Sequence, residues 1–341
     1  MVNEDMQIKV FAAVLRHHNK KSEAVESLSS LFGVGKDAVY RRMRGESFLT
    51  PHELQILCET YRISLDSLIF EKSDTVFFSY NAFTKKVSNF REYLGGVLYN
   101  IEAAYALSKP ELFYASMEIP VFHYFYNEQL TAFKLYVWGM TSLGFDFLQG
   151  RKFSFDLVSP DNFKITDRIV ALYNQLPTTE LYSLNITDHT LNHIEYIATV
   201  DGFKNPDDAL LLCDAVSDIM QHTCEMAEKG MKFSPGTQPK AGVNAPFDLY
   251  HNELVSTNNT FLLKSEANKV LYTTFGNPNF LMTTDEKMCS YADQWLQTTI
   301  KKSAPLSRSA EKSRSWFFSR LEKRIKRTRR RIELLAEERN L

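Results

Sequence analysis

The chain has 341 residues, 44% of them hydrophobic and 13% aromatic, with a formal net charge of −1. That length favours two domains over one, and the composition excludes a disordered, collagen-like or membrane-embedded chain. The charge is uneven: residues 1–72 sum to zero, residues 73–307 to −8 and residues 308–341 to +7, so a basic tail follows an acidic middle and suits nucleic acid, an anionic partner or the protein's own acidic face.

Five short helices are expected between Asn3 and Phe70. The first, Glu4–His18, places Ile8, Phe11, Ala12 and Leu15 at helical spacing. Ser22 is the expected N-cap of the second, Glu23–Phe32, with Val25, Leu28, Leu31 and Phe32 as its apolar stripe. Gly33 is free to take the positive φ that a tight inter-helix turn needs, and Val34 follows it into the core. The third helix runs from Lys36 to Arg44 with Ala38, Val39 and Met43 facing inward, and Gly45 ends it. Thr50-Pro51 opens a fourth helix carrying Leu54, Ile56, Leu57 and Tyr61, and Ser64 a short fifth with Leu65, Leu68 and Ile69.

The stretches SLSSLFGVGKDAVYRRMRGE and LTPHELQILCETYRISLDSL resemble the Cro and lambda-repressor-like helix-turn-helix regulators, also called the XRE family. Leu28-Ser29, the Gly33-Val34 turn, Gly45 and the closing ISLDSLI carry the resemblance, which covers about 70 of 341 residues. The family spaces two apolar residues three apart in the recognition helix. Here Val39 and Met43 are four apart and Arg42 takes the third position.

The resemblance implies a recognition helix at 36–44 lying in the major groove of double-stranded DNA, its N-terminal residues reaching base edges. Lys36, Asp37 and Arg41 are then the base-facing candidates, and Tyr40, Arg42 and Arg44 the phosphate-facing ones.

Beyond this block, the polar Glu71–Asp74 stretch marks a boundary near residue 72. Residues 76–81 read as an extended entry, Thr84–Leu107 as a long helix and Leu112–Ile119 as a strand. Helices follow at about 128–143, 161–175, 187–200 and 206–229. The short runs FDLYHNELV, TFLLKSE, KVLYTTF and FLMTT, with SEANK and GNPN as turns, predict an antiparallel sheet of four or five strands, closed by a helix at Asp285–Lys301. The expected fold is α+β: an all-α domain at 1–72, an α+β domain with a helical insert at 73–307, and a basic helix at 308–341. In outline the middle domain resembles small-molecule sensors of the GAF type, an analogy of architecture alone.

In the C-terminal helix, Phe318, Leu321, Ile325, Thr328, Ile332 and Leu335 alternate at three and four residues like a heptad seam. A seam between two subunits and packing on the body are both open readings.

Other chemistry finds little support. Cys58, Cys213, Cys224 and Cys289 form no C-x-x-C pair and read as reduced thiols. His189 and His193 are one helical turn apart without a third metal ligand, and the Phe122, Tyr124, Phe125, Tyr126 cluster reads as core. No phosphate-binding loop, nucleophile elbow or kinase signature occurs, so neither an enzyme, a metal nor a cofactor is expected. With no signal peptide and no run of about 18 apolar residues, the expectation is a cytoplasmic protein that does not enter a membrane. The leading expectation is a homodimeric, sequence-specific transcriptional regulator whose larger domain dimerises; that this domain also senses a small-molecule effector and that it is a dimerising or partner-binding body without a ligand are both open readings. The alternative is a protein-interaction scaffold with a degenerate helix-turn-helix.

Overall fold

A computed structural model describes residues 6–18, 20–61, 63–69, 75–84, 86–254 and 257–339. The start of the expected first helix at Glu4 and the polar break at Glu71–Asp74 lie outside the described residues. The chain divides into two units, Met1–Phe77 and Phe78–Leu341.

The first unit holds α1 (Met6–Leu15), α2 (Lys21–Phe32), α3 (Lys36–Met43), α4 (Pro51–Tyr61) and α5 (Leu65–Ile69). They close on Val10, Phe11, Val14, Val25, Leu28, Val39, Leu57 and Tyr61, each of which contributes about 1.5–3 kcal/mol on full burial. On α1 the buried stripe is Gln7, Val10, Phe11 and Val14, while Ile8 is 42% exposed. The expected stripe was turned by part of a helical turn, because Gln7, a polar residue, occupies an inward position. Ser22 is not the cap of α2: the helix begins at Lys21, two residues before the expected Glu23, behind Lys20 in extended conformation.

The second unit is built on one mixed sheet in the order β1-β7-β6-β5-β2-β3-β4-β8. Its strands are β1 (Ser79–Tyr80), β2 (Glu111–Ser116), β3 (Thr178–Tyr182), β4 (Phe247–His251), β5 (Thr260–Lys264), β6 (Lys269–Thr274), β7 (Phe280–Thr283) and β8 (Ala304–Pro305). The purely antiparallel sheet expected from the sequence is corrected: β5, β6 and β7 are antiparallel, but β2, β3 and β4 are parallel. The helices expected as an insert are therefore crossovers. They are α8 (Val121–Tyr124), α9 (Glu128–Met140) and α10 (Pro160–Tyr173) between β2 and β3, and α11 (Asp188–Thr199) and α12 (Asp208–Lys229) between β3 and β4. Both crossovers step the same way across the sheet, so the right-handed rule sends their helices to one face. A three-stranded parallel centre also departs from the sensor-like outline drawn from the sequence.

Pleating sorts the strands' side chains. Leu112, Tyr182, Phe247 and Leu249 join the large core under the helices, whereas Ala115, Leu181, Leu262 and Leu271 meet Cys289, Ala292 and Leu296 of α13 (Glu286–Lys301) on the other face. The remaining helices are α6 (Asn81–Thr84), α7 (Phe90–Tyr105), which packs on α10, and α14 (Glu311–Arg339). α7 starts later than expected because Asn89 caps it, accepting from the Glu92 N–H at 3.0 Å.

Under the helical layer β3 carries a charge. Glu180 is fully buried and accepts from the Tyr173 and Tyr182 hydroxyls at 2.5 and 2.6 Å and from His123 Nε2 at 3.1 Å. His123 Nδ1 lies 3.1 Å from the Thr223 hydroxyl, which donates to the Ile219 carbonyl. Burial opposes the Glu180 charge, but His123 and the two hydroxyls overcome it and hold the carboxyl below its usual range. Beside it, Lys232 donates to Thr178 at 2.7 Å and lies 3.6 Å from the Tyr173 ring centre, its amine pushed well down by burial.

Among the described residues, no helix is long and apolar enough to cross a membrane.

Candidate nucleic-acid interface

The turn between α2 and α3 is made by Gly33 at φ 66°, where a side chain would be strained. Val34 follows, its N–H donating to the Ser29 carbonyl at 3.1 Å and its carbonyl accepting from the Ser29 hydroxyl at 2.6 Å. A small hydroxyl residue after Leu28 therefore locks the turn from both sides. At the far end of α3, Glu46 N–H reaches the Arg41 carbonyl at 2.9 Å and Gly45 N–H the Arg42 carbonyl at 3.0 Å, the paired closure of a Schellman ending, with Gly45 at φ 76°.

At about 100° per residue, Asp37, Tyr40, Arg41 and Arg44 share one face of α3, with Lys36 at its edge. Lys36, Asp37, Arg41 and Arg44 are exposed and Tyr40 half-buried. The opposite face is Val39, fully buried, flanked by Met43 and Arg42. The four-residue spacing of Val39 and Met43 thus leaves one continuous inward stripe. Lys36 lies 3.2 Å from Glu26 across the motif, and Arg44 holds Glu46 through two bonds of 2.5 and 2.8 Å. Both pairs are open to water, where such contacts are weak and exchangeable. Lys21, from the first turn of α2, lies 6.0 Å from the Tyr40 ring centre.

Arg42 has a different position from the one expected. It faces α4, with Nη2 2.9 Å from Glu53 Oε1 and Nη1 3.3 Å from the Ala38 carbonyl. An arginine held against a carboxylate on the inner side of the helix is turned from the surface on which a phosphate would sit, so Arg42 leaves the phosphate set and joins the scaffold. The other five candidates are on or beside the outward face.

Two supports were not legible as such in the sequence. Gln7 of α1 donates to the Arg42 and Ser47 carbonyls at 2.7 and 2.8 Å and accepts from the Leu49 N–H at 2.7 Å, so one side-chain amide ties the end of α3 to the following loop. Glu53 closes a capping box with Thr50, accepting from its N–H at 2.8 Å while Glu53 N–H donates to the Thr50 hydroxyl at 3.1 Å. Burial opposes ionised Glu53, but the Thr50 contacts and Arg42 prevail and hold its carboxyl below the usual range. The spacing of Thr50 and Glu53 is the signal by which the box could be found; no sequence signal marks Gln7.

The other basic element, α14, keeps its apolar seam inside its own unit. Phe317, Leu321, Ile325, Thr328 and Ile332 are buried against the body, chiefly α12 and α11. Phe317 takes the place expected for Phe318, and the seam is not free for a second subunit. Three arginines of α14, and Arg308 just before it, meet body carboxylates: Arg308 with Asp248, Arg324 with Asp188 at 2.7 Å, Arg329 with Asp214 at 3.1 Å and Arg331 with Glu195 at 2.6 Å. The basic tail expected as a separate segment is in this respect a strap over the acidic middle.

The cysteines are free thiols; Cys213 is fully buried, its thiol pushed up to about 12 by burial. His193 of α11 is half-buried, and its Nδ1 has no hydrogen-bond partner. Among the described residues no group of three or more His, Cys, Asp or Glu side chains is placed to hold a metal ion.

No family model, no curated protein and no solved structure matches this chain.

Proposed function

We propose that the protein is a sequence-specific DNA-binding transcriptional regulator that reads the major groove with α3. The observation that carries this reading is the division of α3 into an inner face of Val39, Met43 and Arg42, anchored by Glu53 and Gln7, and an outer face of Asp37, Tyr40, Arg41 and Arg44 with Lys36 beside it. A helix eight residues long, fixed at both ends by backbone closure and carrying cations outward, fits the groove and its base edges. Arg41 and Lys36 are suited to guanine, Asp37 to the cytosine amino group, and Tyr40 and Arg44 to phosphates.

As a homodimer, the regulator places two copies of α3 about 34 Å apart, one helical turn of DNA. Because the α14 seam is occupied internally, the dimer in this reading uses another surface of the second unit. An effector role for that unit is part of the proposal. An open depression of about 380 Å³ lined by Phe147, Arg151, Lys152, Ser154, Asp156, Leu157 and Lys204 offers an anionic small molecule a place to settle.

The test is selection of duplexes from a random pool by the full chain, followed by a salt titration. Enrichment of one sequence, with affinity that falls as salt rises, is the expected result. A chain that enriches nothing favours the scaffold reading, in which α3 contacts protein.

A further inference from the structure

We infer that the outer face of α14 is a second nucleic-acid contact, a sequence-independent clamp on the phosphate backbone; this rests on the DNA-binding reading of α3. α14 carries two sets of cations. One set, already described, faces the body's carboxylates. The other is on the far side of the helix. At about 100° per residue, Lys312, Trp316, Arg320, Lys323, Arg327 and Arg330 fall within an arc of about 80°, centred about 140° around the helix from the buried seam. All six are exposed. Lys312, Lys323 and Arg327 have no ionic partner among the described residues, and Arg320 contacts the Trp316 ring at 5.5 Å. Arg330 alone of the stripe is shared, with Glu333 at 3.3 Å and Glu337 at 3.6 Å.

The occupant follows from charge and shape. From Lys312 to Arg330 the stripe is about 27 Å long at 1.5 Å per residue, a length over which duplex DNA presents about 16 phosphates at one charge per 1.7 Å. The helix is held rigid from behind by Phe317, Leu321, Ile325 and Ile332, so the cations are pre-positioned rather than recruited from a flexible tail. A second copy of α14 would bring like charges together and is disfavoured. An anionic membrane would require several apolar residues along the stripe to enter the interface; from Arg320 to Arg330 it has none, and its one aromatic, Trp316, is in contact with Arg320. A polyanion of regular spacing satisfies what is there, and guanidinium groups suit phosphate oxygens.

The test uses the full chain with Arg320→Ser, Lys323→Ser and Arg327→Ser combined, all at exposed positions. Fluorescence anisotropy is measured on the duplex selected by the unaltered chain and on an unrelated duplex of equal length, from 50 to 200 mM KCl. The expected result is a fall of about two to three in the slope of log affinity against log salt, near 0.9 per lost phosphate contact. Affinity for both duplexes should fall by the same factor, tenfold or more, with their ranking kept. The three-lysine counterpart, in which Arg320 and Arg327 become Lys, should keep the slope. An unaltered chain that binds its duplex while the triple variant shows the same slope overturns the clamp and leaves the α3 reading intact. An unaltered chain that binds no duplex overturns both. A triple variant that loses phosphatidylserine vesicles but not DNA overturns the clamp in favour of a membrane surface.

Discussion

Arg42 Nη2 lies 2.9 Å from Glu53 Oε1, joining the last turn of α3 to the first turn of α4 through side chains only 17% and 11% exposed. The same carboxylate closes the α4 capping box. Position and capping of the two helices are therefore coupled through one group. Arg42→Ala leaves Glu53 partly buried without its cation, and should destabilise the first unit by about 2 kcal/mol. Hydrogen exchange of the α3 and α4 amides in the full chain checks this. The Arg42→Ala/Glu53→Ala double variant should cost less than the sum of the single ones. Additive effects would show that the pair is not coupled.

Within the proposed function, Arg41 and Arg44 should behave differently although both are exposed cations on one face. Arg41→Ala should lower affinity for the preferred duplex by about ten- to hundred-fold, the worth of one base contact, and relax the preference at a single base pair. Arg44→Ala should weaken all sequences alike and lower the salt slope by about one. Binding to a set of single-base variants separates the two patterns.

Truncation after Leu306 should unfold the second unit, since it uncovers the seat of Phe317, Leu321, Ile325 and Ile332. Leu321→Ala alone should cost about 2–5 kcal/mol in urea unfolding. A truncated chain that kept its helical circular dichroism, apart from the removed helix, and changed only from dimer to monomer by light scattering would make α14 an assembly element instead.

The buried charge on β3 is another sensitive point. Glu180→Gln removes the negative charge beside His123 and turns one of the two oxygens that accept from His123, Tyr173 and Tyr182 into a donor, and should destabilise the second unit by about 3 kcal/mol or more. Replacing Glu180 by Leu together with His123 by Phe should recover part of the loss, because no uncompensated charge then remains. Urea midpoints of the three chains decide it.

His193 sets a pH dependence. Burial, aided by Lys134 and opposed by Glu118, pushes its imidazole down to about 4 from 6.5. Between those values the unfolded chain binds a proton that the folded chain does not, so stability should fall as pH drops from about 6.5 towards 4. The ceiling is about 3 kcal/mol at ~1.4 per pH unit, reduced by the ring's residual exposure. His222 is shifted the same way, by burial first. His193→Leu should flatten the urea midpoint measured against pH across this window; an unchanged slope would assign it to other groups.

Local chemistry alone was enough for the first unit's helices. Gly33 and Gly45 end helices wherever they occur in such a pattern, Thr50-Pro51 starts one, and the spacing of Phe11, Val25, Leu28, Val39, Leu57 and Tyr61 names most of the core. Exposure at 36–44 was equally legible, because a helix with one apolar stripe has an outside. The sequence also determined the hairpins at SEANK and GNPN, where turn residues separate β-branched runs. What only the tertiary structure decided is partnership across distance. Arg42 and Arg41 are neighbours of one chemistry, and it is Glu53, eleven residues away on another helix, that draws the first inward and leaves the second free. Strand β3 was missed because Glu180 interrupts its apolar run, a charge tolerable there only when His123, Tyr173 and Tyr182 converge on it. The direction of β2, β3 and β4 relative to one another, and the seat of α14 on its own body, arise likewise from long-range packing, which local periodicity does not encode.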